Sequence, residues 1–335
     1  MSDARMLKYQ NAIDKAAIWL KEQRKGDGSL KRSSSLLGYY TAPVFYRAAG
    51  MGRDANTCLQ YIKKNYLKEN GELILPKGVW DNMKPYPQAW VTISSEIWGR
   101  DDIANKTFNY ALTYQDPKTG GIFGEEKDRQ QGKGRIDFDS TSILGIAGIK
   151  FKRENTVRQI GNYLINLYKS QPDLDNRFLW QWDTEEGIIS DYPKEEEANF
   201  ALSVGKKAEM STYRHGLLII FFVKYFLYTG DIRFLKAAEE HFDYALEAND
   251  DFFEYGFCHK FGWGSALLYK ATKKEKYREG SIKVADLLCS LQASDGRFFY
   301  KGAFNSLEEQ PYDGGIDVTV QFANWIANTL WILEE

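Results

Sequence analysis

Two carboxylates one residue apart, Asp137 and Asp139, stand before the hydroxyl run Ser140-Thr-Ser and an apolar segment in the middle of the chain. Asp139 or Ser140 would be a suitable N-cap for a helix that begins there. Two carboxyl groups at this spacing can also keep one of the pair protonated, because each charge raises the pKa of its neighbour. The spacing therefore leaves a helix cap and a catalytic proton donor as alternatives.

Two further segments combine aromatic and ionisable residues directly before a predicted helix. A segment that holds histidine, lysine and tryptophan together suits general acid–base catalysis or ligand binding, whereas aromatic packing under a long loop is the structural alternative. We predict that His259 and Asp81 join the carboxylate pair as catalytic candidates. The substrate contacts predicted from these segments are Trp80, Tyr86, Trp90, Lys260 and Trp263.

Other candidates stand where two more predicted helices begin. Tyr213 and His215 open one of these helices, and Asp313 and Asp317 precede the last helix of the chain. We expect Tyr213, His215 and Asp313 to reach the same pocket as substrate contacts. His241 lies on a predicted outer helix, where we expect a surface role.

Helical periodicity recurs from end to end, and the period-2 alternation of β-strands is absent over any useful length. The pattern predicts an all-α protein of about twelve helices. Their predicted ranges are 7–24, 35–49, 54–67, 86–98, 101–115, 139–150, 153–170, 210–228, 231–248, 260–272, 275–292 and 317–333. Because no Pro/Gly/Ser-rich linker interrupts the series, we treat 1–335 as a single domain.

Long loops follow the odd-numbered helices of this series, and tight turns follow the even-numbered ones. Several tight turns carry a glycine and then an aspartate that can cap the next helix, as in Gly52-Arg-Asp54. Antiparallel hairpins with this alternation place every long loop at one end. The even-numbered helices are the better candidates for an inner layer, and their converging N-termini would favour an anionic or electron-rich ligand.

An internal repeat ends three of the odd-numbered helices. It consists of glutamine, a short spacer, glycine and an apolar residue, and it begins at Gln23, Gln115 and Gln292. Repeats built from helix pairs indicate an array of hairpins, and six pairs are enough to close a ring. We therefore predict an (α/α)6 toroid of antiparallel helices in two concentric layers, with an open solenoid as the alternative.

Composition excludes several functional classes. The net charge of −2 gives no reason to expect nucleic acid as a partner, and no run approaches the ~18 apolar residues of a membrane span. Three scattered cysteines form neither a disulfide framework nor a zinc site. We expect a cytoplasmic protein that acts on a small molecule without a metal or other cofactor, and the oligomeric state stays open. Aromatic residues reach 15% of the chain, enough to line a cavity as well as a core.

The segment from Gln115 through Gly120-Gly-Ile-Phe-Gly to Asp137-Phe-Asp139-Ser-Thr resembles the repeats of squalene–hopene-type terpenoid cyclases and protein prenyltransferase β subunits. The resemblance implies an α/α toroid over most of the chain. In the cyclases a DxDD-Thr motif protonates a polyene, and the middle aspartate is the donor. Asp139 occupies that position, whereas Ser140 stands where the motif has its last aspartate. The zinc ligands of the prenyltransferases are not recognisable in this sequence.

Three functions follow as hypotheses. The first is an enzyme of the terpenoid-cyclase kind, a cyclase, isomerase or lyase that acts on a largely apolar prenyl or polyene substrate and starts its cyclisation by acid in an aromatic-lined cavity. The second is a carbohydrate-active enzyme (a glycan hydrolase, lyase or sugar epimerase) in which Asp81, Asp139 or His259 supply acid and base. The third is a toroid that binds a ligand without catalysis. In the carbohydrate hypothesis the residues expected to stack on sugar rings are Trp80, Trp180, Trp182 and Trp263.

Overall fold

The structure is a computed structural model, and it describes residues 2–334 as two layers of helices. The inner layer comprises α2 (Ala42–Ala48), α4 (Pro85–Ile97), α7 (Phe138–Lys150), α10 (Tyr213–Thr229), α12 (His259–Thr272) and α14 (Tyr312–Glu334). The outer layer comprises α1 (Asp3–Gln23), α3 (Gly52–Asn65), α5 (Asp101–Leu112), α8 (Glu154–Lys169), α11 (Ile232–Ala248) and α13 (Glu275–Ser290). The inner helices correspond to the second, fourth, sixth, eighth, tenth and twelfth helices of the series predicted from the sequence. The assignment of those even-numbered helices to the inside is correct.

The six inner helices form a closed ring. Each contacts the next in the order α2, α4, α7, α10, α12 and α14, and α14 returns to contact α2. Each outer helix packs on an inner neighbour. The first outer helix, α1, packs on α14 and also contacts the last outer helix, α13. The ring confirms the predicted α/α toroid and rules out the open solenoid.

The two layers differ in how their helices are buried. In α7 every residue from Phe138 to Gly148 is buried, so the helix has no solvent-facing side. In α8 the buried positions include Val157, Ile160 and Leu164, which recur every three or four residues and leave the opposite face polar. Burial on all sides fits a helix between the lumen and an outer layer, while one-sided burial fits the outer layer itself.

The glutamine–glycine repeat joins successive hairpins. The side-chain amide of Gln115 donates to the carbonyls of Gly120 (3.2 Å) and Thr156 (3.4 Å), the second of which belongs to the next outer helix. Gly120 has φ +85°, and a Cβ there would lie 2.5 Å from the backbone oxygen of Gln159. The close approach requires glycine, so the repeat ties the end of one outer helix to the side of the next.

The long loops contain short strands that the sequence pattern did not predict. Strands β1 (Arg135–Ile136), β3 (Trp182–Asp183) and β4 (Gly187–Ile188) form one antiparallel sheet, and β2 (Arg177–Leu179) pairs with β5 (Ala201–Ser203). Strands of two or three residues are too short to show a period-2 pattern. Two short helices, α6 (Glu126–Gln131) and α9 (Glu197–Phe200), also lie in these loops.

The long loops contact one another at one end of the toroid. The backbone N–H of Lys84 donates to the carbonyl of Gly124 (3.0 Å), and the Tyr40 ring packs edge-on against Trp80 with ring centres 5.1 Å apart. The inner helices begin at this end. Within residues 2–334, no helix is both long and apolar enough to cross a membrane.

Candidate functional site

A cavity of about 170 Å³ lies at the loop end of the toroid, where the inner helices begin. Most of its wall is aromatic or otherwise apolar, and four polar side chains also reach it. The lining consists of Tyr40, Trp80, Met83, Tyr86, Met210, Tyr213, Tyr300, Val318 and Phe322, together with His259, Lys260, Asp317 and Gln321. Of the predicted site residues, the structure brings together Trp80, Tyr86, Tyr213, His259 and Lys260.

Close packing of α10 on α12 sets the position of His259 and Lys260, the two basic side chains of the cavity. A Cβ on Gly216 would lie 2.3 Å from the backbone carbonyl carbon of Lys260, so only glycine lets the helices approach this far. The approach places the Lys260 ammonium nitrogen 4.1 Å from the ring centre of Tyr213, one turn before Gly216. The helix contact therefore assembles one side of the cavity.

Hydrogen bonds fix His259 as a neutral imidazole. Its Nδ1 lies 2.9 Å from the carbonyl oxygen of Gly256, to which it can only donate. Its Nε2 therefore accepts from Lys260 Nζ at 3.0 Å. Burial, followed by the neighbouring ammonium of Lys260, lowers the pKa of His259 well below its ordinary value. The imidazole is thus an acceptor in contact with an amine.

Lys260 is nearly completely buried, with 3% of its surface exposed. Burial lowers the pKa of its amine to about 8, although the charges of Asp139 and Asp317 act in the opposite direction. The lysine therefore exchanges its proton much nearer to neutral pH than an exposed lysine does.

Asp317, in the second turn of α14, is the carboxylate that faces the cavity. It accepts hydrogen bonds from the side chains of Gln321 (2.8 Å), Thr41 (3.3 Å) and Tyr40 (3.4 Å). Burial raises the pKa of Asp317 to about 6, and the hydrogen bond from Gln321 and the charge of Lys260 limit the rise. At neutral pH most of this carboxyl group is ionised, so it can accept a proton.

The carboxylate pair Asp137 and Asp139 lies outside the cavity lining. Asp137 is the N-cap of α7, because its carboxylate accepts from the backbone N–H of Ser140 at 2.6 Å. The prediction of Asp139 or Ser140 as the cap was wrong. Asp139 is fully buried and instead accepts from Arg214 Nε at 3.0 Å. Burial and the adjacent charge of Asp139 raise the pKa of Asp137.

The pair nevertheless acts on the cavity electrostatically. Two tyrosines of the cavity wall, Tyr86 and Tyr213, have pKa values raised by burial and then by the charge of Asp139. The second oxygen of Asp139 has no hydrogen-bond partner among residues 2–334. A negative charge therefore lies behind this part of the wall, balanced by Arg214.

Two predicted substrate contacts, Trp90 and Trp263, fill the lumen instead of lining the cavity. The rings of Trp263 and Trp325 stack with centres 4.8 Å apart, and Trp325 lies 6.0 Å from Trp90. Two of the other tryptophans predicted to stack on sugar rings, Trp180 and Trp182, also lie outside the cavity lining. Trp180 is fully buried against Phe138, and Trp182 packs edge-on against a tyrosine of α8.

Asp81 and Asp313 also lie outside the cavity lining. Asp81 is exposed and lines a separate outer groove of about 620 Å³, together with Lys84. Within the segment 80–84, Trp80 and Met83 line the cavity while Asp81 and Lys84 line the groove. Asp313 stands in the first turn of α14, one turn before Asp317. Neither carboxylate is placed to act on a ligand of the cavity.

His215 and His241 form a buried pair between α10 and α11, so His241 is not a surface residue and His215 does not reach the cavity. Nδ1 of His215 lies 2.8 Å from Nε2 of His241. The remaining ring nitrogen of each histidine has no partner among residues 2–334. Aromatic rings, including those of Phe178 and Trp180, surround the pair. Burial lowers the pKa of both histidines.

This pair should make the fold less stable in acid. Above pH 6.5 both histidines are neutral in the folded and the unfolded chain, whereas below it only the unfolded chain takes up protons freely. Stability is therefore lost as the pH falls, by about 1.4 kcal/mol per pH unit for each histidine. We expect urea unfolding to show a larger loss between pH 7.5 and 5.0 in the wild type than in a His215→Leu/His241→Leu variant. Equal losses in the two proteins would contradict the depressed pKa values.

No family model matches the sequence, and no curated protein matches it either. Solved structures do share its fold over nearly the whole chain. A GH76 α-mannanase of Bacteroides thetaiotaomicron has a TM-score of 0.69 at 11% identity and covers 98% of this chain and 97% of its own. A D-mannose isomerase has a TM-score of 0.66 at 14% identity, with 97% of each chain covered. The type II terpene cyclase MstE from Scytonema, in complex with geranylgeranyl dihydroxybenzoate, has a TM-score of 0.60 at 12% identity and covers 99% and 100%.

At these identities the likeness establishes the fold, the α/α toroid, and leaves the reaction open. The three neighbours include sugar-directed enzymes and a terpene cyclase, which are the two classes of enzyme expected from the sequence.

Proposed function

We propose that the chain is an enzyme that moves a proton within a single sugar or a similar small molecule with a carbonyl group, as a sugar isomerase or epimerase does. One observation carries the proposal: the cavity brings together a neutral imidazole, a lysine whose pKa is about 8 and a carboxyl group whose pKa is about 6. Acid–base catalysts work best when their pKa values lie near the working pH, and such values concentrate at functional sites.

The size of the cavity supports a small substrate. Its volume of about 170 Å³ is below the ~300–1,000 Å³ typical of pockets for drug-sized ligands, so it suits one sugar ring better than a long prenyl chain. Aromatic walls such as Trp80 and Tyr86 offer flat apolar surfaces to the C–H face of a sugar, while the polar groups orient its oxygens. The shared fold with a mannose isomerase and a mannanase supports the same class.

The proposed roles follow from charge and protonation. Asp317, ionised at neutral pH and held by Gln321, removes the proton from the carbon beside the carbonyl group. Lys260 places positive charge near the carbonyl oxygen, where negative charge develops as that proton leaves. His259 accepts a hydrogen bond from Lys260 and so keeps the amine in place. For isomerisation, the proton returns to the former carbonyl carbon, while a second proton passes from the hydroxyl oxygen on the deprotonated carbon to the former carbonyl oxygen. For epimerisation, a proton is added to the opposite face of the deprotonated carbon.

Ligand-dependent stability tests the substrate class. A ligand at 100 times its dissociation constant stabilises the folded state by about 2.7 kcal/mol, which raises the melting temperature by a few degrees. We expect such a rise with at least one member of a panel of aldoses and ketoses and none with geranylgeranyl dihydroxybenzoate. A rise with the prenyl compound alone would contradict the sugar proposal, as would the absence of any rise.

Acid-initiated cyclisation of a prenyl substrate is the second candidate. Burial together with Asp139 raises the pKa of Asp137, which favours its protonated form, and aromatic walls can stabilise a carbocation. The shared fold with the type II terpene cyclase supports this candidate as well. It requires that purified protein convert a polyprenyl compound to a cyclic product and that Asp137→Asn abolish the conversion. Sugar binding without turnover of either substrate would instead indicate the non-catalytic toroid.

A further inference from the structure

The amine of Lys260 is free of any ion pair. Its polar contact is Nε2 of His259 at 3.0 Å, its other close contact is the ring of Tyr213, and no carboxylate among residues 2–334 lies within 4.0 Å. Lysines on the surface of the toroid, such as Lys63 and Lys274, form ion pairs with carboxylates instead. An ion pair would hold an amine in its protonated form, so its absence leaves Lys260 able to become neutral.

A neutral amine inside a cavity is a nucleophile. Desolvation is one of the ways in which proteins activate lysine for attack on carbonyl groups. The pKa of about 8 supports this state, because roughly a tenth of the Lys260 amine is then neutral at pH 7, against less than about a thousandth for an ordinary lysine. The side chain also lines the cavity, so the amine can reach a bound molecule.

We propose that Lys260 forms an imine with the carbonyl carbon of an aldehyde or ketone bound in the cavity. The inference rests on the proposed function for its substrate class, and it adds a covalent step. An iminium group withdraws electrons from the adjacent carbon more strongly than a carbonyl group, so the adjacent C–H bond is more easily deprotonated. The covalent bond would thus perform the same task that the charge of Lys260 performs in the simpler mechanism.

The step balances with groups of the cavity. The Lys260 ammonium gives one proton to the carboxylate of Asp317 through a hydroxyl group of the bound substrate or a water molecule, because the two side chains are more than 4.0 Å apart, and the free amine attacks the carbonyl carbon. A C–N bond forms, the carbonyl oxygen becomes a hydroxyl group by taking a proton from that nitrogen, and protonated Asp317 returns its proton to the hydroxyl group. Water leaves as the C=N bond forms, so the net change is ammonium plus carbonyl compound to iminium plus water. No oxidant or reductant is needed.

Lys224 provides a matched control within the same chain. Burial lowers the pKa of its amine to about 8 as well, but its nitrogen lies 5.2 Å from the ring centre of Trp263 and outside the cavity lining. Lys260 and Lys224 therefore share a depressed pKa and differ in access to a ligand of the cavity. If the pKa alone governed reactivity, the two lysines would react alike.

Reductive trapping tests the imine. The intact protein is incubated with glycolaldehyde at low concentration and sodium cyanoborohydride, which reduces an imine to a stable secondary amine, and the adduct is located by peptide mass spectrometry. We expect one adduct per chain, on Lys260, with a yield that rises with pH around a midpoint near 8. Lys260→Arg should lose this adduct, and Lys224→Arg should retain it. Equal labelling of Lys260 and Lys224 in the wild type, or labelling spread over surface lysines, would overturn the inference even if Lys260→Arg failed to fold.

The experiments distinguish failure of the imine proposal from failure of the proposed function. Trapping at Lys260 without turnover of any sugar would support the imine and contradict sugar isomerisation. Isomerisation that persists in a folded Lys260→Arg variant would support the function and contradict the imine.

Discussion

Replacement of Asp317 by asparagine is expected to lower kcat/KM by about 10²- to 10⁴-fold while the fold stays intact, because a positioned acid–base group contributes about that much. The amide oxygen of asparagine can still accept the hydrogen bonds that Gln321 and Tyr40 donate to one carboxylate oxygen, and its NH₂ group can donate to the Thr41 hydroxyl oxygen on the other side. Since burial already raises the pKa of Asp317, a neutral side chain there removes a charge that the protein disfavours. The melting temperature should therefore be unchanged or slightly higher.

Asp243→Asn is the control for that experiment. Asp243 lies exposed on α11 in an ion pair with Lys276, far from the cavity in the outer layer. The control should keep both its activity and its melting temperature. Steady-state kinetics with the best sugar of the panel give the comparison, and full activity in Asp317→Asn would exclude this carboxylate as the base.

Loss of the buried ion pair should produce the largest change in stability. Arg214→Met leaves Asp139, which is fully buried, without its charged partner, and it also removes the donor to the carbonyl oxygen of Asn199 (2.8 Å). Removal of one member of a buried pair costs about 3–5 kcal/mol. We expect urea unfolding to show a loss of that size in the free energy of unfolding.

Two further variants make this result specific. Arg233→Met breaks an exposed pair with Asp231 and should leave the free energy of unfolding almost unchanged, because water and salt screen such a pair. The double variant Arg214→Met/Asp139→Leu removes both buried charges and should recover much of the lost stability. Equal stability of Arg214→Met and Arg233→Met would show that Asp139 needs no charged partner, contrary to the geometry.

The two-layered fold was predictable because the spacing of polar and apolar residues along each helix reflects how that helix is buried. Uninterrupted burial in α7 corresponds to a segment with no charged residue between Asp139 and Lys150, and the polar stripe of α8 corresponds to its one-sided burial. Loop lengths alternate because each long loop connects an outer helix to the next inner helix, whereas each tight turn connects an inner helix to the outer helix of the same hairpin. These features were predictable because they repeat in every hairpin. The short strands of the long loops depend on contacts between distant segments, so local patterns did not reveal them.

The site was predictable only to the level of the helix that carries each residue. Tyr213 lines the cavity but His215 does not, because residues two apart on a helix point to different faces. Trp90 lies four residues after Tyr86, about 6 Å further along the helix axis, and so packs against Trp325 in the lumen. Trp80 lines the cavity and Asp81 lines the outer groove, although the two are neighbours in the sequence. They lie in a loop, where side-chain directions follow no regular period, so the sequence did not predict this difference.

Asp317 is the residue whose importance the sequence understated. The spacing of Asp317 and Gln321, four residues apart on a helix that opens at the loop end, would have indicated that both share one face. The regular geometry of a helix could not show which of its faces meets the lumen. That information comes from the packing of α14 against α2 and α12.

Proton exchange with solvent tests the central claim most directly. The protein is incubated in D₂O with each aldose and ketose of the panel, and ¹H NMR follows the signal of the proton on the carbon beside the carbonyl group. The proposed mechanism predicts loss of that signal for at least one sugar, together with appearance of its isomer or epimer, and both should slow by about 10²-fold or more in Asp317→Asn. A panel in which every sugar keeps its full signal, in the presence of folded protein that binds one of them, would contradict the proposed proton transfer.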